Sequence, residues 1–501
     1  MEERVMRRSA MITHRNSIRL PELPDSTTLL TGCASKSVVL GVRRAIGVEY
    51  AARLRTITTL TERRTVPHVP AVAFITLGCP KNEVDTDRMR AAVAASPFGL
   101  EDDLDVADIV VVNTCSFIRD ATEESVGTVL DIAAQWLPER AGRRIIVAGC
   151  MPARYGEELT ESMPEVAAFV PVAEEGALVA VLERLTGITA DLTAATDSAP
   201  ARTASGPSAY LQISDGCHRT CAYCTIPSIR GPYVSQPLKT IVAEATELVA
   251  LGAREIVLIG QDITAYGRDL DRSDTLADVV RAVAAVPGVD WLRLMYAQPD
   301  GVTDELLAAM AENPNVCQYL DIPLQHAAKP VLRAMVRSGD ADSFLKLIAR
   351  IRSVLPDVVL RTTMIAGFPG ETTADVRELQ NFMRKAAFDI VGVFVYSPEE
   401  GTTAAEMPGQ IPLRTRRARA QRLRDLAEEI GSDRAASRVG SIVEVLVEGV
   451  DPDDGVVVGR WRGQAPEIDG LVLLDGGRAG DIVSVEIVDS LGFDLEGEVI
   501  K

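Results

Sequence analysis

The chain has 501 residues, 47% of them hydrophobic and 25% charged, with a formal net charge of −19. That length predicts two to four domains rather than one, and the acid excess argues against a protein whose main work is gripping nucleic acid through its phosphates. No apolar run approaches the ~18–20 residues that span a bilayer and no compact signal segment opens the chain, so no membrane partner and a cytoplasmic location are expected.

In chain order, residues 1–70 carry 12 Lys/Arg against 6 Asp/Glu and no sustained period, which predicts a disordered tail without an assigned function. From Ala71 the pattern changes. Ala71–Leu77, Ala107–Val112 and Arg144–Ala148 are short β-rich runs separated by helical stretches, as in βαβ units with a parallel sheet. This N-terminal α/β domain is expected over 71–186. Residues 187–207, rich in Ala, Thr, Ser and Pro, predict a linker. Over 208–437 the runs Glu255–Ile259, Trp291–Met295, Gln318–Ile322, Val358–Met364 and Ile390–Tyr396 alternate with helical segments, which implies a full or partial (βα) barrel. Arg414–Arg438 predicts a charged helix. Residues 438–501 hold the strand-like runs Ile442–Val447, Gly455–Val458, Leu471–Leu474 and Ile482–Ile487 between Gly- and Asp-rich turns, which predicts a small antiparallel β-barrel.

Six of the eight cysteines carry the chemistry. In a reducing compartment such thiols bind metal or react rather than pair. Cys217, Cys221 and Cys224 form a CxxxCxxC run, and thiolates so closely spaced can hold one iron–sulfur cubane and leave its fourth iron open. A zinc site would prefer four ligands and CxxC pairs, and His218 inside the loop offers no reason to serve as the fourth. Cys79, Cys115 and Cys150 each follow one of the three N-terminal β runs. Ligands gather at the carboxyl ends of strands in open α/β sheets, so these three can converge; taken alone they also fit buried structural thiols. Cys33 and Cys317 read as bystanders.

On these residues the chain resembles the radical S-adenosylmethionine (SAM) superfamily and, more narrowly, its methylthiotransferases, from about Val72 to the C-terminus. The resemblance implies an N-terminal three-cysteine domain, a radical SAM partial barrel and a C-terminal TRAM barrel. It implies an auxiliary 4Fe-4S cluster on Cys79, Cys115 and Cys150 and a SAM-binding 4Fe-4S cluster on Cys217, Cys221 and Cys224, with Tyr223 as the aromatic before the third cysteine. It places Gly260 and Asp262 of Ile259-Gly260-Gln261-Asp262, and Gly367 of Met364–Thr372, near SAM, and His326 of Pro323-Leu324-Gln325-His326 in the lining of the pocket. Glycines there let the backbone approach a cofactor but also suit ordinary turns. No catalytic side chain beyond the cluster ligands is expected.

Within the family some members modify an adenosine of tRNA and others an aspartate of small-subunit ribosomal protein S-twelve. Cys79-Pro80-Lys81-Asn82-Glu83-Val84-Asp85 and Gln261-Asp262 resemble the protein-modifying type; Gln236 stands where an Arg is common. Residues 438–501 hold 5 Lys/Arg and 14 Asp/Glu, a balance of 5 − 14 = −9. A barrel that gripped tRNA should be basic, whereas an acidic one steers a basic ribosomal protein or simply solubilises. The partners implied are S-twelve and a reductant such as flavodoxin or ferredoxin, with tRNA disfavoured. The resemblance implies that one SAM methylates a sulfur held at the auxiliary cluster. A second is reduced to a radical that takes hydrogen from the aspartate β-carbon. The competing readings are the same chemistry on tRNA, and a TRAM-bearing RNA-binding protein with structural clusters.

Overall fold

The computed structural model describes residues 69–188, 202–203, 206–271, 274–452 and 455–500. The tail expected over 1–70, apart from its last two residues, lies outside them with Cys33, as does most of the expected linker.

The N-terminal unit is a five-stranded parallel sheet of β1 (Ala71–Thr76), β2 (Gly99–Leu100), β3 (Ile109–Thr114), β4 (Arg144–Gly149) and β5 (Val166–Pro171), in the order β2-β1-β3-β4-β5. β3 is buried along its whole length, as a central strand covered on both faces must be. Val110, Val111 and Val112 are each 0% exposed, and full burial of such a side chain contributes about 1.5–3 kcal/mol. The helix Pro80–Ala94 covers one face through Met89 and Val93, and Arg119–Gln135 covers the other through Val129 and Ile132. The winding direction therefore reverses between β1 and β3, which opens a crevice at their carboxyl ends. That crevice is where Cys79 and Cys115 stand.

The middle unit is an open six-stranded parallel sheet whose strands follow chain order: β6 (Ser208–Gln212), β7 (Glu255–Ile259), β8 (Trp291–Leu294), β9 (Val316–Asp321), β10 (Val359–Ala366) and β11 (Ile390–Val395). The partial barrel of the sequence reading is thus the one found. Its outer helices start from defined caps: Thr275 with Asp278, Asp340 with Ser343 and Thr372 with Asp375 each form a reciprocal capping box, which satisfies two orphan backbone donors apiece. The expected charged helix runs Leu413–Ala436. Inside the open barrel, Tyr210, Val257, Ile259, Trp291, Met295 and Tyr319 pack with Val84 of the N-terminal unit and with Leu446 and Ala465 of the C-terminal one. All three units meet there. Cys317 is 0% exposed in this core.

The C-terminal unit closes five strands, β12 (Ile442–Val450), β13 (Val457–Trp461), β14 (Val472–Leu474), β15 (Ile482–Leu491) and β16 (Asp494–Val499), in the order β12-β13-β14-β16-β15. Four pairings are antiparallel and β14 with β16 is parallel. The small antiparallel β-barrel expected from the sequence is thus found, with one parallel pair because a ring with an odd number of strands cannot alternate direction all the way round.

This barrel docks through buried charge. Glu255 of β7, 0% exposed, accepts from Arg293 Nε at 2.7 Å and from Arg460 Nη2 at 2.5 Å. Arg460 also reaches Glu448 Oε1 at 2.6 Å. Tyr319 donates to Asp469 Oδ2 at 2.8 Å, and Arg361 spans Asp321 at 3.0 Å and Asp469 at 3.4 Å.

Candidate metal centres

The N-terminal trio is built by three strand ends. Cys79 is the N-cap of the helix Pro80–Ala94, Cys115 follows β3, and Cys150 opens the short helix Cys150–Tyr155 directly after β4. Gly78 holds φ +105°, and a Cβ placed on it would lie 2.5 Å from the Cys115 Cβ. Only glycine lets the chain turn into Cys79 while pressed against Cys115. Asn82, one helical turn after Cys79, gathers the group. Its Nδ2 donates to the Leu77 and Thr114 carbonyls, both at 3.0 Å. Its Oδ1 lies 3.7 Å from Cys79 Sγ and 4.0 Å from Cys150 Sγ. Burial, then the neighbouring Cys79, pushes the Cys115 thiol up to about 11; burial pushes Cys150 up to about 12. Arg230, whose side chain is 2% exposed, is the cation facing these thiols. It bonds Asn82 Oδ1 at 3.2 Å, Asp85 Oδ2 at 2.7 Å and Asp215 Oδ1 at 3.3 Å.

The second trio lies on the loop after β6. The Cys217 N–H donates to the Gly231 carbonyl at 3.2 Å, the Cys224 N–H to the Cys221 carbonyl at 3.1 Å, and the Arg219 N–H to Cys217 Sγ at 3.4 Å. Burial raises the Cys217 thiol and takes Cys224 up to about 12. Tyr223 packs edge-on to Phe368 at 6.5 Å between centroids, so the aromatic before the third cysteine anchors the loop to the run after β10. His218 lies against Tyr233, ring centroids 6.3 Å apart.

The remaining sequence candidates take structural places around this loop. Asp262 is committed: its Oδ2 accepts from Arg219 Nε at 2.7 Å and its Oδ1 from the Thr264 hydroxyl at 2.5 Å. It therefore holds the cysteine loop by Arg219, with Asp300 on the far side of the same guanidinium at 2.8 Å. A Cβ at Gly260 would meet Ser214 Oγ at 2.5 Å. Gly367 has φ +83° and its added Cβ would run into the Arg416 side chain; its N–H donates to Glu371 Oε2 at 2.9 Å. His326 is 0% exposed; its Nδ1 accepts from Ala328 N–H at 2.9 Å, and its Nε2 is 3.6 Å from Glu371 Oε2. Asp262→Asn should loosen the loop, lowering iron retention at the second trio or SAM cleavage about 10–100-fold, the usual cost of removing a group that orients metal ligands; iron assay and turnover check it.

Two residues escaped the sequence reading. Arg337, from the segment after the helix Lys329–Ala334, brings Nη1 to 3.7 Å from Cys221 Sγ and is fixed by Gln298 Oε1 at 2.7 Å and the Pro323 carbonyl at 2.8 Å. Lys81 lies beside Cys79, and burial draws its ammonium down to about 8. No sequence signal links Arg337 to Cys221; Lys81 is visible in the cysteine run.

The loops that carry the two trios touch. The Thr225 hydroxyl, one residue beyond Cys224, donates to the Phe117 carbonyl at 3.1 Å, two residues beyond Cys115. Glu399 takes the Arg119 N–H at 2.9 Å and Arg154 Nη2 at 2.9 Å, tying the N-terminal unit to the barrel beyond β11. The residues fit iron–sulfur clusters. Each trio offers three soft thiols, with no fourth cysteine beside it among the described residues. Among the described residues no three His, Cys, Asp or Glu side chains converge on one ion position, whereas a cubane takes its thiolates at separate corners.

Comparison with known proteins agrees. Family models match in chain order: Uncharacterized protein family UPF0004 over 71–171, the Radical SAM superfamily over 211–383 and the TRAM domain over 439–500. This is a radical SAM protein carrying a TRAM barrel. Its fold is similar to the radical S-adenosylmethionine methyltransferase TsrM from Kitasatospora setae. The TM-score is 0.51 with 14% identity, over 67% of this chain and 77% of that one. The ribosomal protein uS12 methylthiotransferase RimO of Geobacter sulfurreducens is 43% identical over 441 residues, 86% of this chain and 98% of its own. The same-named proteins of Thermosynechococcus vestitus and Synechococcus sp. (strain RCC307) are 43% and 44% identical, covering 86% of this chain and 97% and 90% of theirs. The chain belongs to the ribosomal protein uS12 methylthiotransferase family.

Proposed function

We propose that this protein transfers a methylthio group to the β-carbon of an aspartate in ribosomal protein uS12. The observation that supports the reading is that the two loops bearing three thiols each touch, Thr225 donating to the Phe117 carbonyl at 3.1 Å. Cys79, Cys115 and Cys150 would hold the auxiliary 4Fe-4S cluster; Cys217, Cys221 and Cys224 would hold the one that binds SAM. When bound, these groups supply the methylthio sulfur and the radical that opens an unactivated C–H bond, chemistry beyond any side chain. The chain's own residues do the rest. Asn82 and Arg230 set the spacing and charge of the first trio, Arg219, Asp262 and Arg337 fix the second loop, and Thr225 keeps the two in register.

The choice of a protein substrate rests on the C-terminal barrel. Its exposed side chains include Glu444, Asp475, Asp481, Glu486, Asp489 and Glu498, and Arg478 is the exposed base among the described residues of 438–500. Arg460 is spent on the buried Glu255, so it offers nothing to a phosphate. Such a face repels tRNA and steers a basic ribosomal protein. Anaerobic turnover with SAM, sulfide and a reductant of the flavodoxin or ferredoxin kind, followed by mass spectrometry, should show one methylthio group on uS12 and unchanged bulk tRNA. Modified tRNA with untouched uS12 would overturn the substrate assignment.

A further inference from the structure

Lys81 is 6% exposed, yet among the described residues it forms no ion pair and no hydrogen bond. Its Nζ lies 3.1 Å from the centroid of the Tyr296 ring. Tyr296, just past β8, holds φ +66°. That conformation costs a bulky residue on the order of 1–3 kcal/mol and is kept where the surroundings enforce it, commonly at functional sites. Here the Tyr296 N–H is held by Asp321 Oδ2 at 3.2 Å.

The acids nearby are already engaged. Asp321 pairs with Arg361 at 3.0 Å, Asp85 with Arg230 at 2.7 Å, and Asp215 with Arg230 at 3.3 Å and Gln261 at 2.8 Å. Cys79 is the foremost charge acting on the lysine, and Asp321 and Asp215 act on it more weakly and are spent on other partners, so an ammonium buried here is costly and the aromatic face offsets only part of that. The lysine therefore waits for an anion. It stands in the first turn of the Cys79 helix and reaches the carboxyl end of a barrel strand, so it lies between the two units that carry the thiols.

We propose that Lys81, backed by the Tyr296 ring, receives the side-chain carboxylate of the substrate aspartate and is the residue that selects it. The inference rests on the functional reading above and deepens it. The carbon to be modified is one bond from the carboxylate carbon, so a fixed carboxylate fixes the reacting C–H. An anionic sulfur at the auxiliary site is the rival occupant, and the two differ in whether the lysine senses the substrate's charge.

The test is a cycle on the reconstituted holoenzyme, measuring Kd for purified uS12 and for uS12 with the target aspartate changed to asparagine. The wild-type enzyme should prefer the aspartate form about 10–100-fold, the scale of a hydrogen-bonded charge. Lys81→Met should erase that preference while iron content and SAM cleavage stay intact, and Lys81→Arg should restore most of it. A Lys81→Met enzyme that still prefers aspartate to the wild-type degree, or that weakens both forms equally, overturns the assignment. A wild-type enzyme that leaves uS12 unmodified in a parallel turnover overturns the functional reading, and this inference with it.

Discussion

Cys115→Ala is expected to keep SAM cleavage and lose methylthio transfer to background, whereas Cys221→Ala loses both. The split follows from the two sites being held by separate elements. Cys115 directly follows β3 of the N-terminal sheet and its N–H is fixed by Ser125 Oγ at 3.2 Å, inside that unit. Cys221 belongs to the loop after β6, fixed by Arg219, Asp262 and Arg337 within the barrel. Removing a thiol from one leaves the supports of the other in place, so each variant should retain roughly half of the iron, one cubane of two. Iron and sulfide assay, 5′-deoxyadenosine formation and the mass of uS12 separate the outcomes. Methylthio transfer surviving in Cys115→Ala would contradict the division of labour.

Glu255→Gln should be the most damaging single change outside the thiols. The carboxylate is the shared counter-ion of Arg293 and Arg460, all three 0% exposed, and Ser208 Oγ donates to it at 2.9 Å. Its loss leaves Arg293 without a carboxylate, and breaking a buried pair from one side costs about 3–5 kcal/mol. Burial alone would raise this carboxyl, but the two arginines hold it at about 2. Its contribution is therefore complete above the ordinary carboxylate value of 4.5 and fades as the pH falls towards 2. Limited proteolysis at neutral pH should release the C-terminal barrel from Glu255→Gln well before it does so from the wild type. Glu444→Gln, which breaks an exposed 3.7 Å pair with Arg462, should change stability by about 0–1 kcal/mol.

Strands with continuous apolar runs were legible: β7 and β8 begin where the sequence reading placed them. β3 starts two residues later than expected because the Ala107 N–H is taken by the Asp103 carbonyl in a turn. Four of the strands described above were missed for identifiable reasons, β2 because it is only two residues long. β5 is a half-exposed edge strand that ends at Pro171, β6 follows the low-complexity linker with polar ends, and β16 reads Asp-Leu-Glu-Gly-Glu-Val, an acidic turn-like string until its Leu495 enters the barrel core. All six cysteines proposed as ligands were marked by spacing or by their strand-end position. The contacts that fix them were not, even where, as at Asp262, the residue itself was singled out. Asp262 reaches Arg219 across 43 residues, Arg230 reaches Asp85 across 145, and Arg337 reaches Cys221 across 116. A single sequence carries no trace of such contacts, because only the fold brings them together. The two glycines read as room for a cofactor are also demanded by protein neighbours, Ser214 at Gly260 and Arg416 at Gly367.

The measurement that tests the account most directly uses uS12 deuterated at the aspartate β-carbons in anaerobic turnover with the reconstituted enzyme. The account predicts deuterium in the 5′-deoxyadenosine released and a methylthio group at the same residue. A methylthio-bearing uS12 formed with no deuterium in the 5′-deoxyadenosine would contradict it.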